Sequence, residues 1–273
     1  MTPPRIALFA LTGFGNTVLP ALCVAGLKPE LLVTRPEPGS YPYYREEPLV
    51  DLADRLHVAH AFGTEGERKV EADPPDIILC ATYHRVLRGA VVDKARWAIN
   101  LHPSLLPQYR GPNPFYWVIR NREPVTGVTA HLLTATVDAG PIVAQRSIDL
   151  APQETQGSLR RRLAAVAAAL AVDTIRLVRN GAVELTEQDE TKATAFDRPS
   201  DADRTLHAGL SVEEAERVCR AAVPYPGAAV DSRTVREVVR REPASAGASG
   251  PTHIEADLWR LHFVDGDLVV RLA

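Results

Sequence analysis

Three side chains have the types and spacing to share acid, base and hydrogen-bond chemistry: Asn100, His102 and Asp138. Ile99-Asn100-Leu101-His102-Pro103 closes a short apolar run that reads as a strand. Side chains alternate along a strand, so Asn100 and His102 project from one face while Leu101 points into the other layer. Pro103 disfavours a helical conformation at His102, and Pro107 extends the stiffening. An amide and an imidazole are thereby held side by side at a strand's C-terminal end, where open parallel sheets bind ligands. Thr136-Val137-Asp138-Ala139-Gly140-Pro141 adds an acid in a tight turn, where Gly140 lets the backbone approach a ligand closely. Taken singly these signals are weak. A histidine at a strand end is more often structural, and an aspartate before Gly-Pro is more often a turn former.

The elements that must position these groups follow an α/β order. Arg5 to Leu11 is a nearly continuous apolar run, as expected of a strand buried on both faces. Thr12 to Asn16 is a turn, a helix follows to about Ala25, and Gly26 stops it. Leu31 to Thr34 is the next strand, which completes the start of a βαβ unit and implies a parallel sheet. Arg35 to Pro48, rich in proline and carrying Tyr41, Tyr43 and Tyr44, reads as a loop. A helix is expected near Leu49 to Leu56. Strands are expected at Asp76 to Ala81, Ala98 to His102, Gly127 to Leu133 and Ile142 to Leu150. Glu154 to Arg179 has the strongest helical spacing in the chain, stopped by Asn180-Gly181. A short strand follows near Val183, and Asp189 to Asp203 is polar and reads as a linker.

These features divide the chain into a catalytic domain at 1–190, a linker at 191–205 and a small β-rich domain at 206–273. The last opens on a helix from about Ser211 to Ala222 with a Ser211-x-x-Glu214 capping box. Strand-like alternation follows at Val235 to Val239, Ala256 to Phe263 and Leu268 to Leu272.

Asn100-Leu-His-Pro-Ser-Leu-Leu-Pro-Gln-Tyr-Arg-Gly111, then Thr126-Gly-Val-Thr129, then Asp138-Ala-Gly-Pro-Ile142 resembles the signature of the 10-formyltetrahydrofolate-dependent formyltransferases. That family includes the glycinamide ribonucleotide, methionyl-tRNA and amino-sugar N-formyltransferases. The resemblance covers most of Arg5 to Leu185 and is densest from Ile99 to Leu150. It implies a Rossmann-like catalytic domain, an OB-like C-terminal domain, and Asn100, His102 and Asp138 as the catalytic trio. In that chemistry a neutral amine attacks the formyl carbon and an oxyanion develops. Asn100, and His102 if protonated, can donate to that oxygen, with one such donor worth roughly 2.7 to 4 kcal/mol. Asp138 is expected to stabilise imidazolium and so raise the pKa of His102. Neither a covalent intermediate nor a metal is required. Ser104 lacks a local base motif and reads as a turn former.

The resemblance further implies that 10-formyltetrahydrofolate is received by backbone groups of the loop matching Tyr83, His84, Arg85, Val86 and Leu87. The Asp138 turn, with Val137 and Gly140, closes the other side. Gly13-x-Gly15 lacks the third glycine of a dinucleotide fingerprint, since position 18 is valine. Gly13, Phe14, Gly15 and Asn16 nevertheless open a helix and could hold an anionic group through backbone amides; a plain tight turn is equally well supported. Tyr109, Asn113 and the three loop tyrosines are the remaining candidates for the acceptor side.

Composition narrows the acceptor. The formal net charge is -3, from 31 basic and 34 acidic residues, whereas a nucleic-acid binder needs a basic surface. Arg160-Arg161-Arg162 is the densest basic cluster and reads as a solvated helix face. Cys23, Cys80 and Cys219 are far apart and form no metal spacing, so cytoplasmic residence is expected. Met1 to Arg5 runs straight into a strand, so no secretory leader is expected, and no apolar stretch is long enough for a membrane span. Gly111 to Trp117 resembles the small-molecule branch of the family. The expected partner is therefore a small amine, with neither nucleic acid nor membrane, and a homodimer stays open. The alternatives are a methionyl-tRNA formyltransferase, a hydrolase releasing formate from the same donor, and a non-catalytic folate- or nucleotide-binding protein.

Overall fold

The computed structural model describes residues 3–36, 46–245, 247 and 249–273. Tyr41, Tyr43 and Tyr44 lie outside the described residues. The chain divides into two compact units. The first holds 1–114, 125–149 and 160–196, and the second holds 115–124, 150–159 and 197–273.

The first unit is built on seven strands: β1 (Ile6–Ala10), β2 (Leu31–Thr34), β3 (Ala59–Phe62), β4 (Ile77–Ala81), β5 (Trp97–His102), β6 (Val125–Leu132) and β7 (Ile142–Asp149). Their order is β3-β2-β1-β4-β5-β6-β7. The first five run parallel, and β6 and β7 are antiparallel additions. Every residue of β1 and β4 is buried, which is why both read as unbroken apolar runs. Helices α1 (Phe14–Val24), α2 (Leu49–Arg55), α3 (Gly63–Ala72) and α4 (Gly89–Val92) connect the parallel strands. Gly26, at a φ of +71°, follows the end of α1 as the expected stop. β3 and α3 are absent from the sequence reading because Ala59–Phe62 is a short edge strand with few buried side chains.

Helices α5 (Pro114–Arg120) and α6 (Gln156–Asn180) each cross from one compact unit into the other. No strand forms near Val183; instead Thr186 makes an isolated bridge to Ile142. The expected linker at 191–205 also differs from the reading. Thr194 and Phe196 bond to the 107–110 backbone, so the chain to Phe196 belongs to the first unit. Polar composition suggested a solvated linker, but these residues satisfy a neighbouring loop. Residues 115–124 and 150–159 group with the C-terminal sheet in the second unit.

The second unit contains α7 (Asp201–Arg204), α8 (Val212–Ala222) and five strands, β8 (Ala228–Val230), β9 (Arg233–Glu242), β10 (Thr252–Glu255), β11 (Leu258–His262) and β12 (Asp267–Leu272). These form an antiparallel sheet in the order β10-β11-β12-β9-β8. The capping box is present as expected: Ser211 Oγ accepts the Glu214 N–H at 3.2 Å, and Glu214 Oε2 accepts the Ser211 N–H at 3.0 Å. α8 buries Ala215, Val218, Cys219, Ala221 and Ala222. Replacing Ser211 by Ala is expected to cost roughly 1 kcal/mol. The loss should appear as faster hydrogen exchange at the Glu214 amide, with exchange in β4 unchanged.

Candidate active site

β5 carries Asn100 and His102, and the turn between β6 and β7 folds back to set Asp138 against both. Nδ1 of His102 lies 3.5 Å from Asp138 Oδ2, and Nδ2 of Asn100 lies 3.5 Å from Asp138 Oδ1. The alternation of a strand therefore does what its period predicts, aiming both side chains at one carboxylate. Asp138 Oδ2 also accepts the Gly111 N–H at 2.9 Å. Gly111 has a φ of +108°, and a Cβ there would meet the Phe196 carbonyl oxygen at 2.3 Å. Only glycine can deliver that amide to the carboxylate.

A fourth member escaped the sequence reading. His131 sits directly across from Asn100 in the antiparallel β5–β6 register and is 1% exposed. Its Nε2 is 3.1 Å from Asn100 Nδ2 and 3.5 Å from Asp138 Oδ1. Its Nδ1 is 2.9 Å from the Leu132 carbonyl oxygen. A carbonyl can only accept, so Nδ1 carries the hydrogen and Nε2 presents a lone pair to Asn100. The Asn100 amide is thereby oriented with one N–H used and a second lying at a long 3.5 Å from Asp138. Alternation in Thr129-Ala130-His131 was the available signal, since it places both polar residues on one face of a strand.

The same reasoning assigns the proton on His102. Its Nε2 is 2.8 Å from the Tyr109 carbonyl oxygen and so donates to it, leaving Nδ1 as a lone pair when the ring is neutral. Burial pushes the His102 pKa down, and this outweighs the raising effects of Asp138 and the Tyr109 carbonyl. The expected rise is thus corrected to a fall, because an imidazole 4% exposed loses more from desolvation than its carboxylate neighbour returns. Burial also works against the charged form of Asp138. The charge that His102 carries once protonated, the neighbouring His131 and the Gly111 N–H overcome it and hold the Asp138 pKa at about 2. At neutral pH the site combines a neutral base with a fixed anion.

The loop after β5 is tied in place by buried polar groups. Ser104 Oγ donates to the Gln108 carbonyl at 2.7 Å, consistent with the turn role read for it. Thr129 Oγ1 donates to the Ser104 carbonyl at 2.7 Å and accepts the Leu106 N–H at 3.1 Å. Tyr109 differs from its expected substrate role. Its ring stacks on Phe196 at 5.2 Å between centroids, its side chain is buried, and its contribution is the carbonyl that orients His102. Asn113 Oδ1 accepts from Arg160 at 3.3 Å, and Arg162 donates to the Asp149 carbonyl at 2.9 Å, so these two arginines are not simply a solvated face.

The other candidates separate clearly. Tyr83 packs edge-on to Phe9 at 5.3 Å, and Leu87 joins the core. Arg85 donates to Thr64 Oγ1 at 2.9 Å, and burial followed by Arg35 and Arg85 lowers the His84 pKa. Val86 is 74% exposed. Among the described residues, the backbone groups of 83–87 take no backbone partner. Val137 is likewise exposed. A Cβ at Gly140 would meet the Leu132 carbonyl oxygen at 2.0 Å, so glycine is required there by the chain's own packing. Gly13 donates to Asn16 Oδ1 at 2.7 Å, Gly15 to the Leu11 carbonyl, and Asn16 to the Glu47 carbonyl. With Phe14 fully buried, that turn is closed on itself, which favours its structural reading.

Among the described residues no cluster of metal-ligating side chains occurs, and no helix is long and apolar enough to cross a membrane. Burial raises the pKa of Cys80 to about 12 and that of Cys219 higher still, so both are inert core thiols.

Comparison with known proteins bears on this geometry. Residues 44–175 match the formyl transferase family. Methionyl-tRNA formyltransferase of Agathobacter rectalis is 31% identical over 235 residues, covering 82% of this chain and 75% of that protein. The protein of the same name from Chloroflexus aurantiacus is 34% identical over 232 residues, covering 82% and 75%. Among solved structures, an N-formyltransferase from Helicobacter canadensis in complex with folinic acid and dTDP-3-aminofucose superposes with a TM-score of 0.74 at 17% identity, covering 98% of both chains. HypX from Aquifex aeolicus in complex with tetrahydrofolic acid gives 0.73 at 16% identity, covering 98% of this chain and 44% of that one. At such identities the likeness is one of fold.

Two outcomes test the electrostatics. Histidine NMR should place the His102 pKa below the ordinary 6.5, and Asp138→Asn should lower it further by removing the charge that favours imidazolium. A folded-state pKa of about 2 against 3.8 stabilises the protein above pH 3.8, and the contribution is lost as pH falls through 2. Asp138→Asn should therefore cost on the order of 2 kcal/mol at neutral pH, and the difference from wild type should close on acidification toward pH 2.

Proposed function

The chain belongs to the folate-dependent formyltransferase family, and from that premise we propose that it moves a formyl group from 10-formyltetrahydrofolate to the amine of a small molecule such as an amino sugar. The observation that carries the reading is the convergence of Asn100, His102 and His131 on the ionised Asp138 carboxylate. An amine attacking the formyl carbon gains positive charge as the carbonyl oxygen gains negative charge. The second N–H of Asn100 is placed to turn from Asp138 to that oxygen. The His102 Nδ1 lone pair takes the amine proton, and the imidazolium so formed rests against Asp138. The same proton can then pass to N10 as the formyl–nitrogen bond breaks. The loop at 83–87 is assigned to the folate heterocycle, through backbone groups that take no backbone partner among the described residues and through the exposed Val86.

Charge supports a small acceptor. A polyanion is held by positive groups that lack internal partners. From Asp197 onward acidic residues outnumber basic ones. Many of the arginines there are committed to carboxylates of the same unit: Arg217 to Glu213, Arg240 and Arg260 to Glu242, Arg241 to Glu216, and Arg271 to Asp257. The relatives described above at 31% and 34% identity are methionyl-tRNA formyltransferases, and this keeps charged tRNA as the second reading.

The deciding experiment follows tetrahydrofolate release from 10-formyltetrahydrofolate in the presence of nucleotide-linked amino sugars, hydroxyornithine, glycinamide ribonucleotide or methionyl-tRNA, with a control lacking acceptor. Turnover with a small amine is expected. Turnover with methionyl-tRNA alone would replace the small acceptor, and release in the control would make the protein a hydrolase. With the accepted amine, Asn100→Ala should lower kcat by roughly 10²- to 10³-fold, the scale set by loss of one oxyanion donor.

A further inference from the structure

The stretch from Thr186 to Phe196 lies beyond the 44–175 segment that matches the family, yet it touches both loops of the active site. Gln188 is 8% exposed, and its side-chain amide is fully engaged. Nε2 donates to the Asp138 and Gly140 carbonyls, each at 2.8 Å. Oε1 accepts from Arg110 Nη2 at 2.7 Å and from Arg110 Nε at 3.1 Å. Glu190 holds the other side of the same guanidinium at 2.7 and 3.0 Å.

Both ends of this network matter. Asp138 has a φ of +54°, a left-handed conformation that costs a non-glycine residue about 1 kcal/mol or more. Within the turn, the Ala139 N–H reaches the Thr136 carbonyl only at 3.4 Å. Gln188 supplies donors to the Asp138 and Gly140 carbonyls on the inner side of the turn. Arg110 stands between Tyr109, whose carbonyl orients His102, and Gly111, whose N–H binds Asp138. Thr194 Oγ1 accepts the Tyr109 N–H at 2.9 Å, and the Phe196 N–H donates to the Arg110 carbonyl at 3.0 Å. One buried amide thus joins the loop that holds the base to the turn that holds the anion.

We propose that Gln188, braced by Arg110 and Glu190, is a positioning residue that keeps the Asp138 carboxylate facing Nδ1 of His102. The proposal rests on the formyl-transfer reading above and makes the segment after α6 part of the active site. Without the clamp the turn relaxes, the carboxylate withdraws, and His102 loses the neighbour that favours its protonated form. A displacement of about an ångström costs on the order of 10²-fold in rate.

The test replaces Gln188 by Met, which keeps the volume and removes the hydrogen bonds. In the folded variant kcat should fall about 10²-fold. Histidine NMR should show the His102 pKa moving down from the wild-type value toward that of Asp138→Asn. A brace that merely stabilised the fold would lower the melting temperature and leave the His102 titration where it was. An unchanged titration in folded Gln188→Met overturns the proposal. If Gln188→Met does not fold, Glu190→Gln decides, since the Glu190 side chain is 67% exposed and its loss only loosens Arg110. A smaller downward shift of the His102 pKa supports the clamp, and no shift overturns it. The titration needs no turnover. Silence of the wild type with every acceptor would therefore count against the reaction while the His102 pKa still reports on Gln188.

Discussion

An ionised carboxylate in a site largely closed to water is the constraint around which the first unit is organised. Left alone, Asp138 would protonate or be expelled, because burial penalises its charge. Its pKa is nonetheless held at about 2, by the charge that His102 carries once protonated and by the Gly111 N–H. Each neighbour of the carboxylate makes its own demand. Gly111 must be glycine to clear Phe196, His102 must face inward from β5, and His131 must fall opposite Asn100 in the β5–β6 register. The antiparallel pairing of β6 on an otherwise parallel sheet is what places a second histidine there.

The arrangement separates charge from proton transfer. Asp138 supplies a permanent negative charge, and His102 stays neutral until a proton arrives. The Tyr109 carbonyl fixes which nitrogen of His102 is free, and His131 fixes which way the Asn100 amide points. Neither effect adds a reacting group. Both remove alternatives, so in the proposed reaction the donor and the base are oriented before a substrate binds. The loop at 83–87 follows the opposite principle. Its side chains are largely engaged by the core or by α3, while among the described residues its backbone groups take no backbone partner.

The C-terminal unit is organised by ion pairs within itself. Asp267 is 1% exposed and is matched by Ser245 at 2.5 Å and His262 at 2.9 Å, and Glu242 gathers Arg240 and Arg260. Such pairing commits much of the unit's arginine charge to its own carboxylates. Identity with curated relatives and the distribution of charge therefore pull in different directions on the acceptor. Charge is the more physical guide to what the surface can hold, because phosphate binding depends on it directly.

Local rules carried the sequence reading a long way. Unbroken apolar runs marked β1 and β4, Gly26 marked the end of α1, and Ser211 with Glu214 marked the start of α8, because each depends on neighbours within a turn or a strand. Period-two alternation put Asn100 and His102 on one face, and the motif resemblance added Asp138. What the sequence could not supply were relations between distant segments. His131 joins the site through strand register, and Gln188 joins it through a stretch whose polarity looked like a linker. The pKa of His102 turned on how deeply the ring is buried, so its direction followed from packing and not from the nearby acid. Spacing along a chain determines which face a side chain takes; desolvation and cross-strand register exist only once the sheet is assembled, and they decided the protonation state and the membership of the site.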